Sequence, residues 1–182
     1  KIEFPPGRYK LSGFSPGSLS NFALVGTDAT LVPPDGMTSN ILSLSGTNVT
    51  VEGFTFDYTA DSTAPQMTMR CSDGLVLRDC DFVGVADVLG GSGSSSHQYH
   101  FMPAVTDSSG TGLVENVSFA DGAMSPSNRG GIWFGSNNSG TMIFDGLHME
   151  QWANNSLYCM SSGGPVIVKN SYFRNNNVSG PR

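Results

Sequence analysis

The sequence predicts an all-β chain wound into a right-handed parallel β-helix, a solenoid of about seven coils. Three observations predict it: a turn-rich composition poor in charge, a set of gap-free internal repeats, and columns within those repeats that each keep one kind of residue. Hydrophobic residues make up 38% and charged residues 13% of the 182 residues. Gly, Ser, Asn and Thr are abundant and long Leu/Ala/Glu/Lys stretches are missing. That balance favours short strands and tight turns over helices.

Five segments align without internal gaps: Asn48-VTVEGFTFDY, Gly74-LVLRDCDFVG, Thr111-GLVENVSFAD, Thr141-MIFDGLHMEQ and Pro165-VIVKNSYFRN. Their starts lie 26, 37, 30 and 24 residues apart. Asn21-FALVGTDATLV is a looser copy with two extra residues at its bend, and Phe4-PPGRYKL reads as a first half-coil. The sixth position holds Gly53, Asp79, Asn116, Gly146 and Asn170, the residue types that best tolerate left-handed backbone. A sharp bend at the same height in every coil is the expectation. The ninth position holds Phe56, Phe82, Phe119, Met149 and Phe173, and the fourth Val51, Leu77, Val114, Phe144 and Val168. Both columns predict internal stacks.

Further strand-like pieces lie between the bent segments: Leu42-SLS, Met67-TMRC, Phe101-MPAV, Ile132-WFG and Leu157-YCM. Each coil then has at least three short strands. Parallel strands need crossovers instead of two-residue hairpins, and a coil that returns beneath itself supplies them. At ~4.8 Å per coil the rod would be about 30 Å long. An antiparallel sandwich would not need the same bend residue at the same offset, and the Leu-x-x-Leu-x-Leu frame of leucine-rich repeats is missing. Residues 1–182 form one domain on this reading. It is expected to belong to a longer chain, since the sequence opens at Lys1 and ends just after a repeat with no polar cap.

The opening PPGRYKL, then FALVGTDATLV and VTVEGFTFDY, resembles the start of pectate/pectin-lyase-like β-helix proteins. The later GGIWFGSNNSGTMIFDG and GGPVIVKNSYFRNNNVSG resemble repeats from β-helix proteins of archaea and their viruses. The resemblance implies the fold more sharply than an activity, because that family includes polysaccharide lyases, hydrolases, viral spikes and adhesins.

Strand alternation then sorts the wet faces. If the fourth position points inward, the fifth points out as Glu52, Arg78, Glu115, Asp145 and Lys169, a ladder of mostly opposite charges. Glu115 beside Asp145 is its one like-charged pair, where calcium or an acid/base pair is the alternative to a plain solvated ladder; no other cofactor is expected. The third position also faces out but reads Thr50, Val76, Leu113, Ile143, Ile167. An aliphatic stripe of that kind calls for a cover. The expectation is self-association, and the resemblance to trimeric spikes implies a homotrimer.

On the other strand set Trp133 and Tyr158 face outward at equivalent places in adjacent coils, as aromatic faces suited to sugar rings or, alternatively, to packing beneath a loop or a neighbouring subunit. Arg70, His100 and Asp107 are expected beside them. The long insertions 85–100 and 121–131 should emerge on the same side, with Ser92–Ser96 as a loop tip and Asp121–Arg129 as the opposite wall. Trp133, Tyr158, Arg70, His100 and Arg129 are therefore the expected substrate-binding residues.

No catalytic set is marked by a motif. A lyase of the resembling family uses acidic calcium ligands and an Arg that takes the sugar C5 proton. Asp79 and Asp81 form the only tight Asp-x-Asp, and Asp79 is claimed by the bend. A glycosidase needs two carboxylates at defined separation. Asp57, Asp81, Asp87, Asp121 and Glu150 are available, with Asp81, Glu150 and Asp121 the catalytic candidates, although Glu150 should stack on Arg174 of the next coil. His97 and His100, with His148 elsewhere, fall short of a zinc set, so no metal ligands are assigned. GGSGSSS lacks the Asp of calcium-binding nonapeptide repeats.

The net charge is −6, from nine basic and fifteen acidic residues. Without a basic cluster, nucleic-acid binding is excluded, and without an apolar run of about eighteen residues, so is membrane insertion by a helix. Cys71, Cys80 and Cys159 sit among apolar residues and are expected to be buried free thiols. Sequons at Asn48, Asn116, Asn137, Asn154 and Asn177 fit an extracellular protein. The expectation is an extracellular or virion-surface module that recognises a polysaccharide or cell-surface glycan, including as part of a receptor-binding spike. The alternatives are a polysaccharide lyase or glycoside hydrolase using the same groove, and a structural spacer.

Overall fold

The computed structural model describes residues 1–86, 99–123, 129–160 and 162–176. Asp87, Ser92–Ser96, His97 and Asn177, singled out above, lie outside the described residues. The chain is a right-handed parallel β-helix of about six turns, one fewer than expected, and it opens on the half-coil β1 (Ile2–Phe4) and β2 (Gly7–Lys10). No helix occurs among the described residues.

The strands follow in order: β3 (Ser18–Val32), β4 (Asn40–Asp57), β5 (Gln66–Cys71), β6 (Leu75–Val83), β7 (Tyr99–Val105), β8 (Thr111–Phe119), β9 (Gly130–Trp133), β10 (Thr141–Asp145), β11 (His148–Glu150), β12 (Leu157–Tyr158), β13 (Val166–Lys169) and β14 (Tyr172–Arg174). Every pairing is parallel. β4 runs through a corner, so its first half pairs with β5 and its second with β6. From there the sheet extends along two sets, β5–β7–β9–β12 and β6–β8–β10–β13.

The five aligned repeats stack in the expected register. Val51, Leu77, Val114, Phe144 and Val168 are successive Cα partners. All five sixth-position residues have positive φ: Gly53 74°, Asp79 52°, Asn116 50°, Gly146 72° and Asn170 51°. In the looser copy Asp28 takes the bend at φ 49°, and the register slips between Val25 and Ala29 to accommodate the two extra residues. The bend side chains also bond along the axis. Asn116 Nδ2 donates to Asp79 Oδ1 at 3.2 Å, and Asn170 Nδ2 donates to Asp145 Oδ1 at 2.8 Å. A second bend column, unforeseen, opens the early repeats: Asn21, Asn48 and Gly74 have φ 51°, 54° and 65°. There Asn48 Nδ2 donates to Asn21 Oδ1 at 2.9 Å.

Inside, the ninth position stacks face to face. The Phe56 and Phe82 rings lie 4.5 Å apart at 5°, and Phe82 and Phe119 4.3 Å apart at 13°. Burying such a side chain contributes about 1.5–3 kcal/mol, and an aromatic pair about 0.5–1.5 kcal/mol more. In the last described coil the same columns are open, with Val168 43% and Phe173 40% exposed. Cys71 and Cys80 are buried free thiols and Cys159 is a half-buried one. Burial pushes the Cys71 thiol up to about 11 and the Cys80 thiol up to about 12.

Outside, the charge ladder forms, with Arg78 Nη2 to Glu52 at 2.6 Å and Lys169 to Asp145 at 2.8 Å. Exposed pairs of this kind contribute little stability. Asp145 thus already holds Lys169 and Asn170 where it stands beside Glu115. The aliphatic stripe runs alongside, half-buried from Thr50 to Ile143 and 44% exposed at Ile167. Ala23 extends it by one coil.

Candidate functional site

The first half of β4 and strands β5, β7, β9 and β12 present one outward line parallel to the rod axis. Ser43 pairs with Thr68, Thr68 with Met102, and Trp133 with Tyr158. The Phe101–Ile132 pairing brings Met102 level with Trp133. Four steps of ~4.8 Å give the line about 19 Å.

Its aromatic end contains three rings. Trp133 and Tyr158 are side by side as expected, and Tyr99 joins them, its ring 6.2 Å from Trp133 at 31° and 6.4 Å from Tyr158 at 26°. All three are half-buried. Glycines make the space: a Cβ on Gly130 would collide with the Tyr99 ring, and one on Gly135 would sit 3.0 Å from Trp133 Cζ2. Tyr158 Oη donates to the sulfur of Met160 at 3.7 Å, and that methionine is 66% exposed.

The other end is polar. A groove of about 300 Å³ is lined by Asn40, Ser43, Ser45, Gln66, Thr68 and Arg70, with Leu44 and Met102. Thr68 Oγ1 donates to Ser43 Oγ at 3.1 Å. Arg70 is exposed and makes no ion pair among the described residues. The first half of β4 and strands β5, β7, β9 and β12 contain neither Asp nor Glu.

Two expected residues are elsewhere. His100 and Arg129 are only 2% and 1% exposed, inside the solenoid instead of beside the outer rings. The reason is a break in alternation at the start of β7, where consecutive His100 and Phe101 are both buried. His100 gains edge-on contacts with the rings of Tyr58 and Trp152, and Arg129 Nη2 donates to the Ala64 carbonyl at 2.9 Å. Neither side chain offers a group to a molecule lying on the outer face. Asp107 is exposed past the far end of β7, its carboxyl held low by bonds from Ser109 N and Oγ at 2.9 and 2.8 Å.

The carboxylate candidates belong to the other strand set. Asp81 is exposed in line with Ser118 and His148 of the following coils. Glu150 has Arg174 as its register neighbour, as expected, but its hydrogen-bond partner is His148 Nε2, at 2.6 Å. Asp121 accepts a bond from Gly84 N at 2.7 Å, which makes it a turn brace. Asp57 is held by Arg8 at 2.6 Å and by Thr59 N and Oγ1 at 3.0 and 2.6 Å. Among the described residues the fold therefore separates these carboxylate candidates from the aromatic face. Among the described residues no group of three or more His, Cys, Asp or Glu could hold a metal ion. Of the sequons, Asn154 is 3% exposed.

Tyr99 was missed because it reads as the end of a loop insertion, not as part of a strand. Its signal was Gly130, one residue after Arg129, whose missing side chain leaves the ring its place. No protein-family model, curated protein or solved structure matches this chain.

Proposed function

We propose that this β-helix recognises a glycan along its aromatic face, as a module displayed extracellularly or on a virion surface, including in a receptor-binding spike. The observation that carries the reading is the clustering of the Tyr99, Trp133 and Tyr158 rings at one end of a line whose other end is a polar groove. Apolar ring faces suit the C–H faces of sugars, and the Ser, Thr, Asn, Gln and Arg groups beyond them suit hydroxyls. The resemblance to pectate/pectin-lyase-like proteins and to β-helices of archaea and their viruses supports the same reading. The aliphatic stripe from Ala23 to Ile167 supports self-association, as a trimer by that resemblance.

A polysaccharide lyase or hydrolase working in this groove is the second reading. The carboxylate-free strands of the face weigh against it, since a glycosidase needs two carboxylates at the scissile bond. Were cleavage to occur, Asp81 and Glu150 on the other face would be its candidates. A spacer module is the third reading, and the outward-facing, half-buried rings weigh against it.

Affinity electrophoresis across a polysaccharide panel tests the first reading. Wild type is retarded by at least one polymer with no new reducing or unsaturated ends, and Trp133→Ala weakens retention about tenfold or more, equivalent to some 1.4 kcal/mol. Undiminished retention in Trp133→Ala removes the platform as the site, and new chain ends convert the module into an enzyme.

A further inference from the structure

We propose that the internal corner where Tyr58, His100, Arg129 and Trp152 meet binds a small monovalent anion of halide size. This proposal is independent of the glycan reading. Tyr58 follows β4, His100 lies in β7, Arg129 precedes β9 and Trp152 follows β11. All four are at most 2% exposed. The His100 ring lies edge-on between two others, 5.4 Å from Tyr58 at 72° and 4.9 Å from Trp152 at 79°.

Tyr58 Oη, His100 Nδ1 and Trp152 Nε1 are each buried with no hydrogen-bond partner among the described residues. Native proteins rarely leave such atoms unsatisfied, because each has given up its bonds to water. The chemistry of the set defines the guest. An indole N–H can only donate, a tyrosine hydroxyl donates, and burial beside Arg129 keeps the imidazole neutral with one N–H to give. The guanidinium adds positive potential at both Tyr58 and His100. A halide accepts from all these groups and has no proton of its own to place. A water can also accept from the indole while donating to Tyr58 Oη or to the unprotonated imidazole nitrogen, so it is the positive potential that selects an anion. Bound there, the anion would tie together four stretches of chain directly beneath Tyr99, the residue next to His100.

Crystals of the full chain grown in sodium bromide test this without any variant. The expected result is an anomalous bromine peak within hydrogen-bonding distance of Trp152 Nε1 and Tyr58 Oη. Bromide found only on the surface, or an ordered water at the corner, overturns the proposal. In solution, replacing gluconate by bromide at constant ionic strength is expected to raise Tm saturably, by about 5 °C at a hundred times the dissociation constant. Tyr58→Phe and Trp152→Phe keep the packing and remove one donor each, so each should shift the bromide titration to at least fivefold higher concentration. An unchanged bromide response in both variants also overturns it.

Discussion

The two strand sets of this solenoid carry their information differently. On the bent set, β6–β8–β10–β13, the bend and internal columns each repeat one kind of residue, and the structure repeats with them: positive φ at all five sixth positions, stacked rings at the ninth. On the other set, β5–β7–β9–β12, the outward positions read Thr68, Met102, Trp133 and Tyr158, with no common chemistry. A column in contact with its own copies above and below is constrained by them, because each ring or bend must fit the next. A column facing solvent or a ligand has no such neighbour to satisfy. The regular set holds the rod together and the irregular set is where the candidate site lies.

The sharpest break of that comparison is in the stack. Phe82 is 4% exposed between two parallel rings, whereas Phe173, at the same height in the last described coil, is 40% exposed. Phe82→Ala is expected to cost about 3–5 kcal/mol, and Phe173→Ala well under half of that. Urea denaturation of both variants measures the difference, and equal costs would mean that the column is not a continuous internal stack.

Protonation separates the sets next. His100 is fully buried on the irregular side, and desolvation, then Arg129, hold its pKa well below the ordinary 6.5. The unfolded chain therefore binds a proton near pH 6.5 that the folded chain refuses. Stability from this group is complete above pH 6.5 and falls as pH drops below it, by up to about 1.4 kcal/mol per pH unit until the folded pKa is reached. Unfolding free energies at pH 7 and pH 5.5 should diverge less in His100→Phe than in wild type. Parallel pH profiles would exclude His100 as the origin of acid lability.

The bend column predicts a smaller effect that depends on side-chain shape. Asn116, at φ 50°, bonds to Asp79. Asn116→Val forces a β-branched residue into left-handed backbone and should cost about 1–2 kcal/mol or more. Asn116→Gly relieves the backbone and should cost less, since only the exposed side-chain bond is lost. Denaturation midpoints of the pair decide whether conformation or hydrogen bonding selects this residue.

These contrasts explain how much of the molecule was legible in its residues. Register, bends and both internal stacks could be read because Gly53, Asp79, Asn116, Gly146 and Asn170 announce one backbone conformation at one offset. Trp133 and Tyr158 could be paired by alternation alone. His100 and Arg129 could not be placed, because alternation fails where β7 begins and the buried contacts of His100 come from Tyr58 and Trp152, which are distant in sequence. The first-position bend at Asn21, Asn48 and Gly74 was equally hidden. It lapses after three coils, when Thr111, Thr141 and Pro165 take the position. A column that does not persist cannot be told from coincidence.

Gly135 gives the finest test of the division between scaffold and site. The three atoms nearest a Cβ there all belong to the Trp133 ring, with Cζ2 at 3.0 and Cη2 at 3.3 Å, and Gly135 does not have positive φ. Gly135→Ala therefore has one flexible neighbour to displace and no backbone strain to impose, so its stability cost should stay within about 0.5 kcal/mol. The tilt of the indole should nonetheless change Trp133 fluorescence and weaken glycan retention several-fold. If retention survives while the fluorescence shifts, the sugar does not depend on the lie of that ring, and the polar groove around Arg70 becomes the principal contact. If stability falls by 2 kcal/mol or more instead, Trp133 is packed as tightly as a core residue, and the distinction between a constrained interior and a permissive outer face does not extend to this end of the rod.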